Sequence, residues 1–277
     1  MNKKLLLLLV PLLLSTGKSY AETADSHEFD MPEVVVTATK TAMNIQDVPA
    51  AVEVITAEDI QSYGAHILKD VIGSAAGVSI MRVNGREALS IRGFDARYSM
   101  ILIDGKRIPA EPDPYYELDR ISLENVERIE IVRGPVTSLY GADALGGVVN
   151  IITKAASKEA FTLRLNQGVL ARTGDQNERY SFTYDSGKQE KYGITLSGSY
   201  SDSDASLKSN GTTYSPFGER KNMNARLEYS PTDKETLTFT ASRMEEDTRE
   251  YAILQTAMGN VRTDVRDNND RSQYALS

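Results

Sequence analysis

Cysteine is absent from the 277 residues and histidine nearly so, with only His27 and His66. The first absence excludes a disulfide scaffold, a thiolate metal site and a cysteine nucleophile; the second leaves little for a metal cluster or an imidazole base. Also missing after the first twenty residues is any run of about 18 apolar residues, so no later segment spans a bilayer as a helix. A basic surplus is missing too: 31 Lys and Arg stand against 39 Asp and Glu, a formal charge of −8 that speaks against nucleic-acid binding. Apolar residues make up 40% of the chain, enough for a core in one large domain or two ordinary ones.

What is present begins with a processing signal. Lys3 and Lys4 form a basic start, Leu5 to Leu14 an apolar run broken only by Pro11, and Ser19-Tyr20-Ala21 a small-x-small cleavage site. Residues 1–21 therefore read as an export signal cut after Ala21, and the acidic mature chain as exported. Residues 22–46 read as a flexible polar segment, because Glu22, Asp25, Glu28 and Asp30 come with too little apolar surface to offset the entropy of ordering. Within it Glu33-Val34-Val35-Val36-Thr37-Ala38 is rich in β-branched residues and favours an extended chain. With no hairpin partner expected nearby, it is either an edge strand of the next domain or a peptide that adds to a partner's sheet.

Residues 47–154 have the pattern of a compact mixed domain. Ala51 to Ile55 reads as a strand, Thr56 with Asp59 as a capping box opening a short helix, and Ile67, Leu68, Val71 and Ile72 recur at helical spacing, ending at Gly73 or Gly77. Strands are predicted at 78–83, 88–92 and 100–103. Asp104-Gly105 then fits a type I′ hairpin turn that returns the chain through Lys106 to Ile108. A short helix is predicted around Leu123 to Val126, then strands at 128–132 and 148–153.

After Ala160 the texture changes to long alternation at period two. Leu237, Phe239 and Ala241 face one way while Thr236, Thr238, Thr240 and Ser242 face the other. Tyr180, Phe182 and Tyr184 form a similar row, as do Ile194, Leu196, Gly198 and Tyr200, and Met223, Ala225, Leu227 and Tyr229. Tyrosine and glycine dominate where a soluble sandwich favours valine and isoleucine, which suits a transmembrane β-barrel with an aromatic girdle better than a secreted sandwich. The acids Glu245, Glu246 and Asp247, with Asp264, Asp267 and Asp270, read as an exposed loop rather than a calcium site.

Taken in order, the Glu33 to Ala38 box, Ser90 to Phe94 (SIRGF), Ile101 to Arg107 (ILIDGKR), Glu127 to Pro135 (ERIEIVRGP) and Ser138 to Lys154 (SLYGADALGGVVNIITK) resemble a TonB-dependent outer-membrane receptor, with wording closest to the ferric-siderophore and colicin I receptor branch. The resemblance implies an α+β plug domain, a small mixed sheet with short helices, at 47–154. The first antiparallel strands of a transmembrane β-barrel, incomplete, follow at 161–277. It implies no enzyme and no permanently bound cofactor or metal. The function it implies is active transport across the outer membrane of an iron chelate, a ferric siderophore, with haem or cobalamin as alternatives and a soluble periplasmic binding or signalling module as the competing class. The implied partners are the periplasmic domain of TonB with the ExbB-ExbD complex, outer-membrane lipid and colicin.

Three groups of site residues follow from that resemblance. Glu33, Val34, Val35, Val36, Thr37 and Ala38 form a TonB box. Arg92 and Arg133, in two of the quoted motifs, either pair with barrel-wall glutamates beyond Ser277 or are solvated strand-end charges. Chain order sets the loops 82–87 and 109–120 outward, where Arg82, Arg86, Tyr115 and Tyr116 offer cations and aromatic faces to an anionic aromatic chelate or are plain loop residues. Residues 161–277 have room for about five strands and the start of a sixth, whereas plugged transporters need about 22, so the chain is expected to be the N-terminal portion of a longer receptor or a truncated gene product.

Overall fold

The computed structural model describes residues 35–37, 43–44, 50–83, 86–108, 116, 118–169, 175–205, 207–208, 212–213, 216–232, 235–256 and 259–277. The export signal lies outside the described residues, as do Glu33, Val34, Ala38 and Tyr115.

Two short strands come first, β1 (Val35–Val36) and β2 (Met43–Asn44), paired antiparallel with Val35 opposite Asn44 and Val36 opposite Met43. The valine segment thus has a hairpin partner, which corrects the expectation of an unpaired strand. A seven-residue separation is enough for the chain to turn back on itself.

The mixed domain is built on a five-stranded sheet. Its strands are β3 (Ala51–Thr56), β6 (Ser99–Ile103), β7 (Lys106–Arg107), β8 (Val126–Arg133) and β9 (Gly147–Thr153), in the order β3-β8-β9-β6-β7. Only β6 and β9 run parallel. Apart from it, β4 (Val78–Val83) and β5 (Arg86–Ile91) form a hairpin. The central strands look continuously apolar in sequence because both sheet faces are covered. One face carries Ile55, Ile101, Ile129, Ile131, Val149 and Ile151 into a core with Leu68, Val71, Ile72, Leu89 and Leu118, and the other carries Met100, Leu102, Val132 and Val148 against Val136 and Ala144.

Local signals decide several of the joints. Thr56 caps α1 (Ala57–Ser62): its hydroxyl accepts from the Asp59 amide, while the Asp59 carboxylate accepts from the Thr56 amide at 2.9 Å. Those hydrogen bonds from Thr56 hold the Asp59 carboxyl below its ordinary value. The second helix, α2 (Leu68–Ile72), ends at Gly73, the earlier of the two glycines at which its apolar spacing could stop. At the Asp104-Gly105 turn both residues have positive φ, 48° and 75°, the conformation a type I′ hairpin demands. The helix expected at Leu123 to Val126 is not formed. A 3-10 turn stands earlier, at Leu118–Arg120, and β8 begins at Val126, because the Leu123 carbonyl closes a single turn onto the Val126 amide and the ladder takes over. A one-turn helix α3 (Thr137–Tyr140) and a 3-10 turn at Ala142–Ala144 connect β8 to β9.

The remainder is one antiparallel, unclosed sheet of six consecutively paired strands: β10 (Glu159–Val169), β11 (Gln176–Gln189), β12 (Tyr192–Ser203), β13 (Phe217–Thr232), β14 (Glu235–Thr256) and β15 (Gly259–Leu276). The acids read as a loop lie inside strands, Glu245 to Asp247 in β14 and Asp264, Asp267 and Asp270 in β15. The polar composition reads as a loop in isolation, yet a strand whose backbone is fully paired tolerates it.

Candidate functional site

The six-stranded sheet has two chemically different faces, set by the period of two. Phe161, Leu163, Leu165, Ile194, Leu196, Met223, Leu227, Leu237 and Phe239 project outward and remain exposed. Register keeps them in continuous rows, with Phe182 opposite Gly198, Leu227 opposite Tyr192's neighbour Ile194, and Leu227 opposite Phe239. Stacked tyrosine pairs bound this surface, Tyr192 with Tyr229 at 4.9 Å and Tyr180 with Tyr200 at 6.2 Å between ring centroids. Tyr192 and Tyr200 are separated along β12 by about 26 Å at the usual rise per residue, which a strand tilt of about 35–45° reduces to roughly 20 Å along the membrane normal, somewhat less than the ~25 Å lipid-facing band that aromatic girdles flank. Such an exposed apolar surface, ruinous for a soluble sheet, is what hydrocarbon requires.

The inner face is polar and touches the mixed domain. Ser181, Thr195 and Ser197 are buried there, and Asn222 and Asn224 donate across to Ser199 and Ser197. Three ionic bridges join the two parts. Arg120, at the end of the 3-10 turn, donates to Glu246 at 2.6 Å and stands 3.3 Å from Asp267; both Arg120 and Glu246 side chains are under a tenth exposed. Arg220 donates to Asp119 at 3.1 Å and lies 3.7 Å from Glu246, which also accepts from the Thr248 hydroxyl. Arg226 donates to Asp104 at 3.1 Å and to the Thr153 hydroxyl at 2.9 Å.

A fourth junction centres on Glu124, which accepts from the Ser181 hydroxyl of β11 at 2.9 Å, with Arg164 of β10 at 3.6 Å and the His66 ring 3.4 Å from its other oxygen. Burial pushes the Glu124 carboxyl up. Bonding to His66 and Ser181, together with the charges of His66 and Arg179, outweighs this and holds it below the ordinary glutamate value. A depressed folded value means that the stabilisation is present above the unfolded value and is lost as pH falls through the folded one. Acidification is therefore expected to loosen this junction. Glu124→Gln should weaken it by about 1–3 kcal/mol at neutral pH and flatten its acid dependence, measured by hydrogen exchange of β10 and β11. Equal acid sensitivity in both proteins would exclude Glu124 as the titrating group.

Between the mixed domain and strands β13 to β15 lies a cavity of about 630 Å³, bordered by Asp104, Asn125, Asn224, Arg226, Thr240 and Gln273. Among the described residues no group of three or more His, Cys, Asp or Glu is placed to hold a metal ion.

The residues singled out in the sequence fall into different places. Val35 and Val36 are in β1, and the Thr37 amide donates to Glu130 at 2.8 Å. Arg133 donates to Glu53 at 2.7 Å and to the Ala76 carbonyl at 2.6 Å, so it is satisfied within its own domain, and Arg92 is exposed beside Gly134. Arg82 and Arg86 belong to the hairpin β4–β5 rather than to a loop, and their side chains lie outside what is described. Tyr116 is only 4% exposed and joins the main core, so it offers no face to solvent. The bridging residues Asp104, Asp119, Arg120, Glu124, Arg220, Arg226 and Glu246 escaped the sequence reading. One signal was available: Arg220, Asn222, Asn224 and Arg226 alternate with the outward Met223 and Ala225, a polar row unsuited to lipid that implies a partner inside.

Comparison with known proteins agrees with this geometry. Residues 44–148 match the family model described as the TonB-dependent receptor plug domain. The iron-regulated outer membrane virulence protein of Vibrio cholerae is 38% identical over 149 residues, covering 51% of this chain and 22% of that protein. The vitamin B12 transporter BtuB of the same species is 39% identical over 132 residues, covering 47% and 22%. A variant of the ferric enterobactin receptor PfeA from Pseudomonas aeruginosa, solved with enterobactin, superposes with a TM-score of 0.59 at 26% identity over 73% of this chain and 34% of its own. The siderophore receptor PirA from Acinetobacter baumannii shares the fold at 24% identity and a TM-score of 0.61, covering 75% and 33%. The chain spans about a fifth of the length of the curated relatives it matches. With a domain seated on the polar face of an unclosed sheet whose other face suits lipid, the chain carries a TonB-dependent receptor plug domain at residues 44–148 and is similar in sequence and fold to outer-membrane receptors and transporters.

Proposed function

We propose that the protein serves TonB-dependent active transport across the outer membrane, with a ferric siderophore as cargo. The observation that carries this reading is the bridged seating of the plug on the polar inner face of the wall, which must be loosened by work before anything can pass along that face. In this reading residues 33–38 are the strand that the periplasmic domain of TonB takes up, energised through ExbB-ExbD. The apex of the plug, with Arg82, Arg86 and Tyr115, meets the anionic iron chelate, and Arg92 is left to anchor the plug to further wall strands. Resemblance to an iron-regulated protein and to a receptor solved with enterobactin supports an iron chelate. Cobalamin is the second reading, favoured by the 39% identity to BtuB.

Strand addition depends on main-chain donors, so proline at Val35 and Val36 together is expected to abolish energised uptake while surface binding of the cargo is retained. Uptake and binding of a labelled ferric catecholate and of labelled cobalamin, compared on the same cells producing the receptor, decide both points. Undiminished uptake by the double proline variant would refute the coupling role, and uptake of cobalamin alone would replace the iron reading.

A further inference from the structure

We propose that Glu130 is a positioning residue that holds the Val35–Thr37 segment in its self-paired form and so competes with the partner that takes this segment. The proposal rests on reading residues 33–38 as the partner-binding strand.

Thr37 follows β1 directly. Its amide donates to one Glu130 carboxylate oxygen at 2.8 Å, and its hydroxyl lies 3.2 and 3.3 Å from the two oxygens. These contacts bridge 93 residues and join the flexible-looking leader to the middle of β8. Glu130 itself has no exposed surface. It alternates with Ile129 and Ile131, so it lies on the sheet face of Val132 and Val148, where an apolar residue would be expected. Arg128 donates to its other oxygen at 2.9 Å. A carboxylate in such surroundings persists because its acceptors are occupied, and withdrawing a donor from it costs more than losing a neutral hydrogen bond.

Two consequences follow. Without any partner, the latch keeps β1 against β2 and the segment out of reach. When a partner draws the segment away, Thr37 leaves Glu130, and a buried charge in the central sheet loses part of its coordination. By linkage, whatever weakens the Thr37–Glu130 contact must make capture of the segment easier by the same factor. The leader is thereby coupled to the plug core through one carboxylate rather than through the length of the chain.

The test uses the whole chain, its Thr37→Val, Thr37→Ser and Glu130→Gln variants, and the purified periplasmic domain of TonB. Hydrogen exchange of the peptide covering residues 33–44 is expected to quicken about tenfold in Thr37→Val and Glu130→Gln, the size of a lost charge-assisted hydrogen bond, and to return toward the parent in Thr37→Ser. Affinity for the TonB domain should rise by the same factor of about ten in the same two variants and not in Thr37→Ser. Thr37→Val lies outside the core sheet, and unchanged exchange at Ile129 and Ile131 certifies that Glu130→Gln is folded. Unaltered exchange of the 33–44 peptide in both variants overturns the latch whatever TonB does. Faster exchange with no TonB binding by any protein overturns the partner reading, and with it the competition.

Discussion

Replacement of Arg120 by alanine is expected to destabilise the seating of the plug against the wall by about 3 kcal/mol, the lower part of the range for breaking a buried ion pair. Glu246 would remain almost fully buried with its main cation gone, retaining the Thr248 hydroxyl and an Arg220 guanidinium 3.7 Å away. That residual Arg220 is why the loss falls short of the upper limit. The penalty arises from the stranded charge more than from the lost attraction, so the double variant Arg120→Leu with Glu246→Leu should recover most of it. Hydrogen exchange across Leu118 to Val126, followed in denaturant, measures both. A single-variant loss under about 0.5 kcal/mol would show that solvent screens the pair as it does on open surfaces.

Gly147→Ala is expected to be comparably damaging for a steric reason. Gly147 opens β9 at a φ of 151°, and a β-carbon there would stand 2.3 Å from the Val132 carbonyl oxygen and 3.2 Å from Ile91. Relief would require β8 and β9 to separate at the point where Gly147 pairs with Arg133 on one side and Ser99 on the other. A cost of about 3 kcal/mol or more is reasonable for strain of this kind in a packed sheet. Gly105→Ala is the control, since its φ is also positive but no atom lies within 4 Å of the added carbon. Its cost should stay near the 1–2 kcal/mol of a left-handed residue. Equal losses in urea unfolding of the two variants would mean that backbone conformation alone, not the close approach of β8, governs position 147.

These expectations differ in how far they could be reached without coordinates. The alternation after Ala160 was legible because side-chain direction in a strand is a local property: whichever strands pair, residues two apart share a face. The same holds for the Thr56–Asp59 capping box and the Asp104-Gly105 turn, where a few neighbouring dihedrals and side chains determine the result. The family motifs were legible as order and spacing, and they correctly brought a plug and a wall into one chain.

Contacts that depend on long-range register are not visible in the sequence. Arg133 reads from its motif as a partner of barrel-wall glutamates or as a solvated strand-end charge, and Glu53, 80 residues earlier, meets it once β3 lies beside β8. Glu246 reads in isolation as a loop acid, although its position on the inner row of β14, decided by pairing with β13, buries it beside an arginine 126 residues away. Tyr116 was offered to solvent, but the folding of its segment onto the sheet places it in the core. Thr37 and Glu130 gave no local sign of each other.

The chain's own pattern therefore determined its class, its two-faced wall and its turns, since each follows from contacts between near neighbours. Which charges are stranded, which are paired and which hold the plug were decided only in the tertiary structure. Attraction between two side chains depends on their separation in space, and across a hundred residues that separation exists only after the sheets have closed on one another.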